Sequence, residues 1–505
     1  MACASVVARA RPASQACATG SLSACSGVKS RGDAGVAASV RIVRVNDGVE
    51  VAEENPWNVA RLIPTSGING AEEQERRATS ALLAVMSSVK EYGRVITGPL
   101  GAPAGSLETF IEVPFRLGDK KVFPDGLIRV KRGAKVWTAL VEVKTGNNEL
   151  QREQLENYLD VAKEHRFDAL LTISNEISPA AGVHPTVVDK RKSKAIPMHH
   201  LSWTEVLTAA VMQKEFRGVA DPDQAWILGE LIRYLEHPKS GAVEFTDMGP
   251  SWVPVREAVS SGTLRKSDND AAQVAARFDA LLRYSALKLG QRLGADVTQV
   301  LSKAEAADPA LRVAAVTGML VTEGKMSGAI RIPNAVSPLT ITVDIRAAQI
   351  ACSFSTGAPA EGRQTTRVNW LLRQLKDAPD TLRIEAFATR QRGGTAELLK
   401  TAREDPNVLI ADASKDLKSF TVTYLGKMGG TRLAGRSGFI DSVMDSMLSS
   451  YDLVGQRLKD WSAAPPRLRK PEEVVVDEKL SKDLPSAALS SQDDELPGSS
   501  TVGAP

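Results

Sequence analysis

The chain predicts a mixed α/β fold: a mixed sheet flanked by helices, then a helical region, then a second α/β or α+β domain. Three observations predict it. An amphipathic helix pattern from about Ala71 is followed by three extended segments, a second helix and a further strand, giving the order α-β-β-β-α-β. Beyond Asp221 the periodicity is almost wholly helical. From about Leu311, strand and helix patterns alternate again.

The first helix rests on "AEEQERRATSALLAVMSSVKEYG". Ala78, Ala81, Leu82, Val85, Met86 and Val89 recur at three- and four-residue spacing, Glu75 shares their stripe, and Gly93 is the expected stop. "LETFIEVPF" reads as one strand, and "DGLIRVKRGAKVWTALVEVK" as two strands joined by a tight turn at Arg132-Gly133. Asn148 is the expected cap of a helix from about Glu149 to Glu164, with Leu155, Tyr158, Leu159 and Ala162 on one face. "FDALLTISN" and "IPMHHLSW" read as strands and "TEVLTAAVMQKEF" as a helix.

Two further helices, "DQAWILGELIRYLEH" and "DAAQVAARFDALLRYSALKLGQRLG", fill the helical region. After it come strands in "LTITVDIRAAQIACSFS", helix "VNWLLRQLKD", strand "TLRIEAFAT", helix "AELLKTARE", strand "SFTVTYLG" and helix "FIDSVMDSMLSSYDLVGQRLKDW". The two β-α units invite comparison as a duplication, but their sequences share no identity that would establish one.

Composition narrows the function classes. The 505 residues are long enough for two or three domains, at roughly 150 residues each. A hydrophobic content of 43% supports real cores, and a net charge of +3 leaves any nucleic-acid affinity to local patches. The four cysteines, Cys3, Cys17, Cys25 and Cys352, form no CxxC pair, which argues against structural zinc or a disulfide framework and for a reducing compartment. No segment approaches the ~18 uncharged apolar residues of a membrane span. The expected setting is cytoplasmic, with nucleoid association as a variant. The Ala- and Ser-rich start, with Arg9, Arg11 and Arg31 and no acid before Asp33, also suits an organelle-targeting segment.

The chemistry gathers around Pro124-Asp125 and Glu142-Val143-Lys144. Side chains alternate along a strand, so Glu142 and Lys144 share a face that Val141 and Val143 do not. A hairpin turning near Arg132-Gly133 sets Asp125 opposite residues 140–142. Two carboxylates so placed repel each other unless a cation joins them, and hard oxygen ligands suit Mg²⁺ or Mn²⁺. The Val143 carbonyl is a further candidate ligand. Lys144 then stands where it could orient a water or offset charge on a phosphate.

"PDG", "VEVKTG" and a helix bearing "QLENY" resemble the restriction-endonuclease-like superfamily, whose motif is PD-(D/E)xK, over about residues 71–216. The Gln154-xxx-Tyr158 spacing resembles a branch that contains exonucleases and repair nucleases. The resemblance implies a restriction-endonuclease-like core, metal ligation by Asp125 and Glu142, and Lys144 as the catalytic lysine. It also implies a contribution to the metal site from Glu75, with Gln154 and Tyr158 near the lysine or the nucleic-acid backbone.

The expected function is therefore metal-dependent hydrolysis of phosphodiester bonds. DNA is the first choice of substrate and RNA the second, and the expected settings are repair, mobile-element processing or defence. The alternative is a catalytically idle module of the same fold that binds nucleic acid or assembles a protein complex. A third reading places the function in the C-terminal region, which also offers a surface for a homodimer or a partner protein. "DKRKSK" supplies Lys190, Arg191 and Lys192 as weaker phosphate contacts or as a solvated loop, and His199-His200 has no partner at ligand spacing. The expected boundaries are a poorly ordered extension at 1–66, the nuclease-like domain at 67–216, helical residues 217–305, an α/β domain at 306–463, and a disordered acidic tail at 464–505.

Overall fold

The computed structural model describes residues 58–59, 71–180, 182–242, 244–435 and 438–463. The expectations for the N-terminal extension and for the tail after residue 463 lie outside the described residues.

The first part carries β1 (Asn58–Val59), α1 (Ala71–Ser88), α2 (Lys90–Thr97), β2 (Ser106–Ile111), β3 (Phe115–Leu117), β4 (Lys120–Val122), β5 (Gly126–Arg132) and β6 (Lys135–Val143). It continues with α3 (Arg152–Glu164), β7 (Ala169–Ser174), α4 (Lys190–Ala195), β8 (Met198–Ser202), α5 (Trp203–Val211) and α6 (Pro222–Glu236). Six strands form one sheet in the order β1-β2-β5-β6-β7-β8. The β2-β5-β6 pairs are antiparallel and the β6-β7-β8 pairs parallel, so the sheet is mixed.

Strand alternation divides the buried side chains between two layers. Val141 and Val143 face a core with Leu82 and Met86 of α1, which α5 and α6 complete. Leu127 and Leu140 face the opposite core with Tyr158 and Leu159 of α3. All six stripe residues from Ala78 to Val89 are buried.

Gly93 does not stop the helix. The chain breaks at extended Val89 and resumes as α2, with Gly93 inside it. There α2 crosses α1 so closely that a β-carbon on Gly93 would sit 2.3 Å from the carbonyl oxygen of Met86. The expected single strand "LETFIEVPF" is broken at Glu112, whose φ is +51°, and Phe115 pairs instead in the separate β3-β4 hairpin. Arg132 pairs with Lys135, so the tight turn is Gly133-Ala134, one residue beyond the expected place.

The second part carries α7 (Trp252–Ser261), α8 (Asn269–Leu293), β9 (Thr298–Val300), α9 (Lys303–Ala307), α10 (Pro309–Glu323), β10 (Lys325–Arg331), β11 (Leu339–Asp344) and β12 (Gln349–Gly357). Then follow α11 (Gln364–Gln374), β13 (Arg383–Ala388), β14 (Thr395–Leu398), α12 (Leu399–Glu404), β15 (Leu417–Lys427) and α13 (Phe439–Ser450). Seven strands form one sheet in the order β14-β13-β15-β12-β11-β10-β9, and every pair is antiparallel. This is α+β architecture built as a single sheet, not two repeated β-α units. "AELLKTARE" is split, with β14 paired to β13 before α12 begins.

The helical region is divided between the two cores. Leu228, Leu231 and Leu235 of α6 join the first, whereas Trp252 of α7 and Phe278 and Leu282 of α8 join the second. No helix among the described residues is long and apolar enough to cross a membrane.

Candidate functional site

The hairpin register brings the carboxylates together. Gly126 pairs with Val141, which sets Asp125 across from Glu142. The Val143 N–H donates to Asp125 Oδ2 at 2.8 Å, fixing that carboxylate against the end of β6. The next residue, Lys144, donates its N–H the other way, to the Ile173 carbonyl at 2.7 Å. Backbone polar groups alternate sides along a strand, so the peptide groups of Val143 lie toward Asp125.

Glu142 is fully buried, and Lys144 Nζ stands 2.6 Å from its Oε1. The contact is an ion pair without hydrogen-bond alignment, and among the described residues neither Glu142 oxygen has a directed donor. Burial raises the Glu142 pKa, against the pull of Lys144. The Asp125 carboxyl is held well above its ordinary range by burial, with Glu142 adding to the effect. Burial acts against the Lys144 ammonium, but Glu142 and Asp125 outweigh it and raise its pKa.

Glu75 joins the site through Lys144. Its Oε1 accepts from Lys144 Nζ at 2.9 Å, and its Oε2 accepts from Asn148 Nδ2 at 3.2 Å and the Thr145 N–H at 3.4 Å. Asn148 is therefore committed to Glu75 and does not cap α3, which starts at Arg152 behind Gln151 with no side-chain cap. Among the described residues no group of three or more His, Cys, Asp or Glu side chains is placed to hold a metal ion. The donor set that fits a hard cation is Asp125 and Glu142, with the Val143 carbonyl on their side of the strand.

An open cleft of about 500 Å³ exposes this edge, lined by Glu75, Asp125, Lys144 and Gln154. Gln154 Nε2 donates to the Tyr158 hydroxyl at 2.8 Å, which donates to the Phe123 carbonyl at 3.1 Å. Tyr158 is buried behind Gln154, and burial together with Glu142 and Asp125 raises its pKa.

The basic run is not part of this cleft. It forms α4, capped by Asp189, and Lys192 is tied to Asp160 at 2.7 Å. Lys190 and Arg191 are exposed, and none of the three lines the cleft. Conversely, Glu72, Arg76 and Thr79 do line it. Their spacing on α1, beside Glu75, is a polar stripe that helical periodicity makes visible.

The floor of the site is held from elsewhere in the chain. Trp203 donates its indole N–H to the Lys144 carbonyl. Gly241, at φ +77°, accepts from the Gly146 N–H at 2.9 Å and from Asn175 Nδ2 at 2.9 Å. A β-carbon on Gly241 would strike both Gln74 and Thr145 at 2.7 Å. Gln74 in turn donates to the Lys239 carbonyl at 2.6 Å.

His200 is held by hydrogen bonds from two sides. Thr172 Oγ1 lies 2.8 Å from His200 Nδ1 and 2.7 Å from His184 Nε2. His184 Nδ1 lies 3.0 Å from both the N–H and the carbonyl oxygen of Thr186. His200 Nε2 faces the Glu176 carbonyl at 2.9 Å, leaving Nδ1 to accept from Thr172. Burial lowers the His184 pKa and takes His200 down to about 4, which favours the neutral rings.

No family model, curated protein or solved structure matches this chain.

Proposed function

We propose that the chain is a metal-dependent nuclease that hydrolyses phosphodiester bonds, with DNA as the preferred substrate. The observation that carries this reading is the convergence of Asp125, Glu142 and Lys144 on one sheet edge, with Asp125 and Lys144 lining an open cleft and Glu142 buried beside them. Two carboxyls whose burial resists ionisation, one with no directed donor among the described residues, fit a cation better than they fit each other. The α-β-β-β-α-β order around them supports a restriction-endonuclease-like core.

Asp125 and Glu142 would hold Mg²⁺ or Mn²⁺, aided by the Val143 carbonyl. When bound, the ion would polarise the phosphodiester and make an attacking water more acidic. Lys144 carries a fixed positive charge at the cleft wall, where it orients the nucleophile and offsets charge gathering on the phosphate. Glu75 holds the lysine from α1 and is assigned to positioning. Gln154, projecting into the cleft from α3, meets the nucleic-acid backbone.

The closure of Lys144 between two carboxylates favours a second reading, in which the fold binds nucleic acid or assembles a complex without cleaving. One assay separates the two. The protein is incubated with linear, circular and single-stranded DNA and with RNA, under Mg²⁺, Mn²⁺ or EDTA, beside Asp125→Ala and Lys144→Ala. Cleavage that needs the metal and disappears in both variants is expected. Cleavage surviving both substitutions removes the assigned site, and tight binding without cleavage under every condition establishes the second reading.

A further inference from the structure

A second cavity, of about 400 Å³, lies between the first sheet and α8. Its wall is mostly apolar, with Leu100, Ile177, Val183, Leu201, Leu287 and Val297 prominent. That size and lining are typical of small-molecule sites, which run from about 300 to 1,000 Å³ and carry a few placed polar groups.

The placed charge is Arg283. Its Nη1 donates to the Pro179 carbonyl at 2.6 Å and to Gln299 Oε1 at 3.0 Å, both neutral acceptors. Its Nε is buried and has no acceptor among the described residues. The Nε–Nη2 edge is the planar fork that matches the two oxygens of a carboxylate. Glu205 also lines the cavity, but its Oε2 is committed to the Ser202 N–H and hydroxyl at 2.7 and 2.8 Å, in the capping box that opens α5. Asp279, one turn earlier on α8, and Glu205 offset the Arg283 charge from a distance, but its hydrogen bonds among the described residues go to neutral acceptors and its Nε has none, which leaves a donor for an anion at the apolar wall.

We propose that this cavity binds a small amphipathic organic acid, its carboxylate on the Arg283 fork and its hydrocarbon body against the Leu, Ile and Val wall. The proposal does not rest on the nuclease reading, because binding is read without any activity.

The test uses octanoate and its neutral counterpart octanamide, titrated calorimetrically into the full chain. Octanoate is expected to bind at least about tenfold more tightly than the amide, the margin of a charge-assisted pair. Arg283→Gln is expected to abolish that preference. Leu287→Trp, which fills the cavity and leaves Arg283 in place, is expected to abolish binding of both probes; circular dichroism confirms that each variant is folded. If Arg283→Gln does not fold, Leu287→Trp and the acid–amide comparison decide. No heat with octanoate at millimolar concentration, equal affinity for the amide, or undiminished octanoate binding by either folded variant overturns the proposal.

Discussion

Trp203 donates its indole N–H to the backbone carbonyl of Lys144 at 2.9 Å, joining the first residue of α5 to the lysine of the candidate site. Both backbone polar groups of Lys144 are thereby occupied, since its N–H already reaches Ile173. Trp203→Phe keeps an aromatic ring in the core, deletes the donor and vacates part of the indole's volume. It is expected to cost at least about 1–3 kcal/mol of stability, through the orphaned carbonyl and the space left in the core. Urea denaturation measures this, and a parallel fall in cleavage rate with unchanged DNA affinity would show that the lysine has moved.

Glu75→Gln tests the positioning role. The amide still accepts from Asn148 but no longer pairs a charge with Lys144. A misdirected catalytic group costs on the order of 10²-fold in rate, so single-turnover cleavage should fall by about that factor while DNA binding holds. An unchanged rate would place Glu75 outside the machinery.

Asp125 and Glu142 set a pH dependence whose sign follows from burial. Their folded pKa values are raised, so above about pH 4 the folded chain retains protons that the unfolded chain has lost. Their contribution to stability is greatest below that pH and is lost as pH rises through the folded values. Without divalent metal, Asp125→Asn should therefore be more stable than the wild type at pH 8, and the gap should close toward pH 4. Adding Mn²⁺ should raise the wild-type melting temperature and leave that of the variant unmoved. Melting curves across pH, with EDTA or Mn²⁺, measure both effects.

His200 works in the opposite direction. With its folded pKa near 4 and the unfolded value near 6.5, its stabilisation is complete above about pH 6.5 and drains away as the pH drops toward 4. The difference amounts to about 3–4 kcal/mol at most, at about 1.4 kcal/mol per unit. His200→Gln should flatten that acid limb, as read from urea midpoints at pH 7 and pH 4.5.

The site was legible where local pattern fixed geometry. Alternation along β6 and a two-residue turn set Asp125 against Glu142, and moving the turn by one residue left the expected pairing intact. The start of α3 was not legible, because Asn148, a good cap by residue type, is drawn away by Glu75 from a position 73 residues earlier. Nor was the Thr172 relay, whose histidines lie 12 and 28 residues off with no period to connect them. In the second part, "AELLKTARE" suits a helix by propensity, but its first residues complete the edge of a sheet and pairing prevails. Polar contacts across long separations decided each of the first two misses, and sheet pairing the third.

Gly241 fills a space between Gln74 and Thr145 that no side chain could share. During synthesis, the strands bearing Asp125 and Glu142 leave the ribosome about a hundred residues before this glycine does. The lysine loop has no stopper until then, and α6, which packs the α1 core, is also still missing. A fragment ended at Phe216 would carry Asp125, Glu142 and Lys144 and lack the closure that Gly241 provides. The unit that matures as one therefore reaches at least to Gly241, and a nascent chain shorter than that lacks the contacts that close the candidate site.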